Sequence, residues 1–145
     1  MNQEDKELLL RDLSARLSYH IRLKVWLKDG TTEEGVLDLE HNYGDILRDA
    51  FYYNEIIDIK PFLRPMSSMT EEEKEELSHL LPKDWSVEID KLNNFYFDMS
   101  PSIFMEIDVF LNIIDWLNKK MFDYRGLIEK GLAIAVTEEN NPYKE

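Results

Sequence analysis

The sequence predicts an α+β protein: an N-terminal helix, a small antiparallel sheet, a short charged helix and a long apolar C-terminal helix. Three observations predict it. The apolar repeat switches from helical to two-residue spacing near residue 20, an Asp-Gly pair turns the alternating stretch back on itself, and two helix-start signals follow in the second half. The 145 residues read as a single domain. Residues 1–65 form a helix plus a small sheet, 66–136 a helical and hairpin part packed on it, and 137–145 a tail.

From Glu4 to Leu17, Leu8, Leu9, Leu13 and Leu17 recur at helical spacing, with Asp5 and Glu7 near the positive end of the helix dipole. Ser18-Tyr19-His20 ends this helix. Ile21, Leu23, Val25 and Leu27 then alternate with Arg22, Lys24, Trp26 and Lys28, the period of a half-buried strand. Asp29-Gly30 supplies a tight turn, and the return strand runs from Thr31 to about Glu40. A plain two-residue turn sets Glu34 across from Val25 on the buried face. A bulge at Gly35, or a slightly longer loop, is therefore expected, turning Leu37 and Leu39 inward. His41 to Asp45 reads as a loop, and Ile46-Leu47-Arg48 and Phe51 to Ile59 as strands. Pro61 and Pro65 are expected to stop regular pairing.

Thr70-Glu71-Glu72-Glu73 is a capping box, and the charged helix it opens has only Leu77, Leu80 and Leu81 as an apolar face before Pro82. Trp85, Val87 and Ile89 alternate, as do Phe95 and Phe97, which suggests a second hairpin. Ser100-Pro101 then starts the long helix. One stripe of it is Ile103, Ile107, Phe110, Ile114, Leu117 and Met121; a second is Met105, Val109, Ile113 and Trp116. A helix apolar on more than one side is buried in a core or an interface, so the segment 101–121 also offers a surface for self-association. Leu132 to Val136 adds a last strand, and the polar tail from Thr137 is expected to fray.

An apolar fraction of 43% and an aromatic fraction of 12% suit a packed core. The absence of Cys removes disulfides, thiolate metal sites and cysteine nucleophiles. The net charge of -13 repels phosphate backbones at long range and steers towards basic partners, besides keeping a small protein soluble. The polar N-terminus is unlike a signal peptide, and Glu106, Asp108, Asn112 and Asp115 interrupt the longest apolar stretch, so no membrane span is expected.

The chemistry-bearing candidates are few. Glu76 and His79 stand three apart on a helix, the spacing of carboxylate-bridged metal sites, but such sites need a second copy and two more inward Glu residues. Among 30 Asp and Glu residues, pairs suited to acid–base work carry no information without geometry. The glycines are scattered as turn and cap residues, not gathered into a phosphate loop, and no Ser occupies a nucleophile-elbow context. The expectation is a protein that is not an enzyme and needs no cofactor or metal. Arg22, Lys24, Trp26 and Lys28 form a basic strip interleaved with an aromatic, a pattern that binds single-stranded nucleic acid by charge and stacking. Alternatively, Glu33 and Glu34 neutralise the strip and Trp26 packs under a helix, and the overall acidity favours this second reading. The acidic run Glu71, Glu72 and Glu75, and the pair Tyr124-Arg125, complete the candidate binding surface; for the pair, a structural corner is preferred.

Two resemblances extend this reading. Val25-Trp26-Leu27-Lys28-Asp29-Gly30, followed by Gly35-Val36-Leu37 and Ile46-Leu47-Arg48-Asp49-Ala50, resembles the first motif of Sm-like small barrels. That likeness implies a strongly bent SH3-like or Sm-like sheet, although Gly44 and Asp45 stand where the family carries its base-binding Asn. Ile59 to Glu73, with Asp115-Trp116-Leu117-Asn118 and Phe122 to Ile128, is similar to small proteins of phages and prophages of gut Bacteroidetes. The second likeness implies a setting, the cytoplasm of a bacterial host cell, and no chemistry. Together they point to a protein-binding accessory protein that contacts a host or phage protein, for example an acidic inhibitor of a host defence protein. A small-barrel single-stranded nucleic-acid-binding protein is the alternative.

Overall fold

The computed structural model describes residues 1–38, 56–82, 85–89, 95–98 and 106–144. They form a mixed helix-and-sheet protein with two compact units, one made of Met1–Leu63 with Arg125–Glu145 and the other of Arg64–Tyr124. The expectations for Leu39, the loop at 41–45, the strand at 46–48, the first part of the strand at 51–59 and the helix start at Ser100-Pro101 lie outside the described residues. No helix among the described residues is long and apolar enough to cross a membrane.

In the first unit, helix α1 (Gln3–Ala15) starts at Asn2, whose side chain accepts from the Asp5 N–H at 2.8 Å and satisfies one otherwise orphaned donor. Its Leu9 and Leu13 are fully buried, and so are Asp12 and, just past its end, Arg16. A 3-10 turn over Leu17–Tyr19 follows, and His20 takes a positive φ of 56° that redirects the chain into strand β1 (Ile21–Leu27). Ile21, Leu23 and Val25 are buried while Arg22 is exposed and Lys24 and Trp26 are half-buried, as the alternation requires.

Strand β2 (Thr32–Leu37) pairs antiparallel to β1, and β3 (Ile56–Leu63) pairs antiparallel on the other side. A two-residue strand, β6 (Ile134–Ala135), runs parallel to β3, giving the order β2-β1-β3-β6. The first hairpin turns through the slightly longer loop and not through a bulge at Gly35, which brings buried Leu37 opposite Ile21 but still leaves a glutamate, the exposed Glu33, across from Val25. The β1–β2 pairing is continuous, with Ile21 across from Leu37, Leu23 from Gly35 and Val25 from Glu33. Leu27 N–H donates to the Thr31 carbonyl (2.8 Å) and Gly30 N–H to the Leu27 carbonyl (3.0 Å), so Lys28-Asp29-Gly30 is a three-residue loop. Gly30 has φ 89°, the left-handed conformation such a loop demands at its last position. Asp29 locks the turn by accepting from Thr31 N–H (2.9 Å) and Thr31 Oγ1 (2.6 Å), and the Thr31 hydroxyl above all holds its carboxyl below the ordinary value.

Pro61 ends the ladder to β1 but not the strand: β3 runs on to Leu63 and pairs there with β6. Pro61 faces Leu23, whose own backbone bonds point to β2, so its missing N–H falls on the side away from β1 and beyond the end of β6. The tail, too, is held. Tyr143 Oη accepts from Arg22 N–H (3.1 Å) and donates to the Phe62 carbonyl (2.7 Å), bridging β1 and β3 where a ladder bond would otherwise form.

In the second unit, helix α2 (Glu71–Ser78) carries the full capping box: Thr70 Oγ1 accepts from Glu73 N–H and Glu73 Oε1 accepts from Thr70 N–H, both at 3.1 Å. Strands β4 (Ser86–Ile89) and β5 (Phe95–Asp98) form the second hairpin. Helix α3 (Ile107–Lys119) is described from residue 107 onward and ends where Met121 turns into positive φ (62°). Met66, Met69, Leu77, Leu81, Trp85, Ile113, Leu117 and Phe122 make the core of this unit.

Candidate binding surfaces

The outward face of β1 and β3 carries the basic strip. In register, Lys24 stands directly across from Lys60, and Trp26 across from Asp58. Both ammonium groups lie over the Trp26 ring, Lys24 Nζ at 5.6 Å and Lys60 Nζ at 5.7 Å from its centroid. The ring therefore serves as a shared cation–π partner for two like charges that would otherwise only repel. Lys60 also reaches Asp58 at 3.8 Å, a long contact between partly exposed groups. The described ion pairs include none to Arg22, Lys24 or Lys28, so Glu33 and Glu34 do not neutralise the strip by direct contact. Lys60 was not singled out by the sequence, because only the β1–β3 register brings it opposite Lys24.

The second unit presents a different chemistry. Glu71, Glu72 and Glu75 lie on α2, with Glu71 accepting from Lys74 Nζ at 3.1 Å. Glu76 is engaged, accepting from Trp116 Nε1 (3.2 Å) and pairing with Lys120 Nζ (3.4 Å), while His79 is exposed. Among the described residues no three His, Asp or Glu side chains gather as a metal site would require. On α3, Val109, Ile113, Trp116 and Leu117 face the core. Ile107, Phe110 and Leu111 face outward at 76%, 50% and 53% exposure, so the first turns of this helix hold a row of large apolar side chains in solvent. Asp108 and Asp115 follow on the adjoining side of the helix, one hundred-degree step on from Ile107 and Ile114.

Tyr124 and Arg125 hold structural contacts. The Tyr124 hydroxyl donates to Asn118 Oδ1 at 2.8 Å, which accounts for the burial of Asn118 on α3. Arg125 Nε lies 3.4 Å from Asp12 Oδ1. Asp12 also takes Arg16 through Nε (2.9 Å) and Nη2 (3.0 Å), so one fully buried carboxylate serves two guanidinium groups. Sequence reading missed this centre, although Asp12 and Arg16 sit four apart and in phase with Leu9 and Leu13. Nearby in sequence, His20 Nδ1 meets the buried Asp38 carboxylate at 2.9 Å.

Compared with protein-family models, with curated proteins and with solved structures, the chain matches none of them.

Proposed function

We propose that this chain is a non-catalytic accessory protein of a phage or mobile element that acts by binding a protein, as an acidic inhibitor covering a basic surface of a host protein. One observation carries the reading: Ile107, Phe110 and Leu111 stand exposed together on α3, with Asp108 and Asp115 beside them. Grouped apolar side chains in solvent mark contact surfaces, because burying them is favourable, whereas singly exposed ones are ordinary. Carboxylates at the edge of such a row select a cationic partner and raise its encounter rate. The net charge of -13 and the exposed Glu71, Glu72 and Glu75 add long-range attraction of the same sign. The setting rests on the likeness of Ile59 to Glu73, with Asp115-Trp116-Leu117-Asn118 and Phe122 to Ile128, to small proteins of Bacteroidetes phages and prophages.

The test is affinity capture from host lysate with the intact chain, followed by direct binding to the purified protein recovered. A basic host protein that binds at low salt, weakens steeply with salt, and is lost from both the Phe110→Ser/Leu111→Ser and the Glu71→Lys/Glu72→Lys/Glu75→Lys variants supports the proposal. Nothing retained at low salt, or equal retention by the Phe110→Ser/Leu111→Ser variant, refutes it. So does a homodimer in solution that this variant dissolves, since the row then belongs to a second copy.

A further inference from the structure

We infer that the outward face of β1 and β3 is a second, independent binding surface, whose ligand is single-stranded nucleic acid. Three features of the sheet lead there. Lys24 and Lys60 are placed directly opposite one another, an arrangement that costs free energy in a sheet and is offset here by the Trp26 ring and a long 3.8 Å contact from Lys60 to Asp58, so a further anion is favoured. Among the described residues they share the half-buried Trp26 ring, and a π face flanked by two partly exposed ammonium groups is the combination that takes a base by stacking and its phosphates by charge. Arg22, Lys24 and Trp26 recur at every second residue, about 6.8 Å apart. That repeat suits an extended strand running along β1, and exposed Lys28 in the hairpin loop continues the line.

The charge of the whole molecule sets how such a ligand binds. Glu34 lies across from Lys24 on the β2 side, and Asp58 lies across from Trp26. These carboxylates, and the surplus acid elsewhere, oppose a duplex with its denser charge more than a single strand that can meet only the strip. Screening at about 0.1 M salt confines each charge to roughly 10 Å, so the local cations decide the contact. Engagement of Arg22, Lys24, Lys28 and Lys60 by phosphates predicts a slope of log K against log salt of about -3, from roughly -0.7 per phosphate on a single strand.

The experiment is fluorescence anisotropy of a labelled oligothymidylate of about 15 nucleotides with the full chain at about 20 mM salt, a length that spans one small single-strand site. Micromolar binding is expected, about tenfold weaker in Lys24→Glu/Lys60→Glu and in Trp26→Ala, largely retained in Trp26→Phe, and weaker for the duplex of the same length. Lys24→Gln/Lys60→Gln serves if the double Glu variant does not fold, judged by its circular dichroism melt. The inference fails if no oligonucleotide binds, or if the lysine variants bind as well as the wild type. It fails equally if a polyglutamate peptide binds in place of the oligonucleotide, because the ligand is then an acidic polypeptide. None of these outcomes depends on α3, so this surface and the apolar row are tested separately.

Discussion

Arg64 and Glu73 meet as two forks: Nη1 lies 2.7 Å from Oε2 and Nη2 lies 2.7 Å from Oε1. The same guanidinium stacks on Phe122, 4.2 Å from the ring centroid, and the same carboxylate closes the capping box of α2 at Thr70. The backbone joins in, since Arg64 N–H donates to the Met121 carbonyl (2.7 Å) and Asp123 N–H to the Arg64 carbonyl (2.9 Å). One pair thereby ties the start of α2 to the segment that follows α3.

Replacing Arg64 with Lys keeps the charge and loses both the fork and the stacking. A loss of about 2 kcal/mol is expected, from charge-assisted bonds of roughly 1.5–3 kcal/mol each in partial burial. Urea denaturation of the wild type and Arg64→Lys checks it; an unchanged midpoint would mean the pair is decorative.

Acid should reveal the same contact. Burial pushes the Glu73 carboxyl up, but the Arg64 bonds and the Thr70 N–H outweigh it and hold the group below its ordinary value of 4.5. A depressed carboxyl stabilises the fold above its unfolded pKa, and that contribution disappears as pH falls through the folded value. Stability measured from pH 6 downward should therefore drop more steeply below about pH 4.5 in the wild type than in Glu73→Gln.

Tyr143 should respond at the other end of the scale. Burial above all raises its hydroxyl from 10.0 to about 12. A raised phenol stabilises the folded chain below pH 10, and this is lost as pH rises through about 12. Tyr143→Phe leaves Arg22 N–H and the Phe62 carbonyl without their bridge, at a cost of about 1–3 kcal/mol at neutral pH. Thermal melts at pH 8 and pH 11.5 should show a wild-type loss that the Phe variant largely lacks.

The buried Asp12 gives a sharper contrast. Asp12→Ala takes the bidentate carboxylate away from the fully buried Arg16 and should cost about 3–5 kcal/mol. Asp12→Leu/Arg16→Met removes both charges and should cost less than the single change, because Arg125 is partly exposed and can turn to water. Chemical denaturation of both variants decides; a double variant worse than Asp12→Ala would show that the ion pair itself contributes net stability.

How much was legible follows from the range of each interaction. Period, caps and turns act within a few residues, so α1, β1, the capping box at Thr70 and the alternation of Trp85, Val87 and Ile89 could be read along the chain. The hairpin loop was nearly legible: a longer loop was expected because it turns Leu37 inward, and Gly30 at positive φ closes it, although Glu33 then takes the place opposite Val25 that the short turn gives to Glu34. Pro61 was legible only in part, because its harm depends on which side of β3 its missing N–H faces, and pairing decides that.

The sequence by itself determined the mixed helix-and-sheet class, the acidic character and the inward and outward residues of β1, since these follow from local periodicity and composition. Only the tertiary structure decided that Lys60 joins Lys24 at Trp26, that Tyr143 fastens the tail between β1 and β3, that Asp12 answers two arginines, and that α3 leaves Phe110 and Leu111 in solvent. Each depends on partners brought together from distant parts of the chain, or on which of two apolar stripes a core has room to bury, and no short-range pattern records that choice.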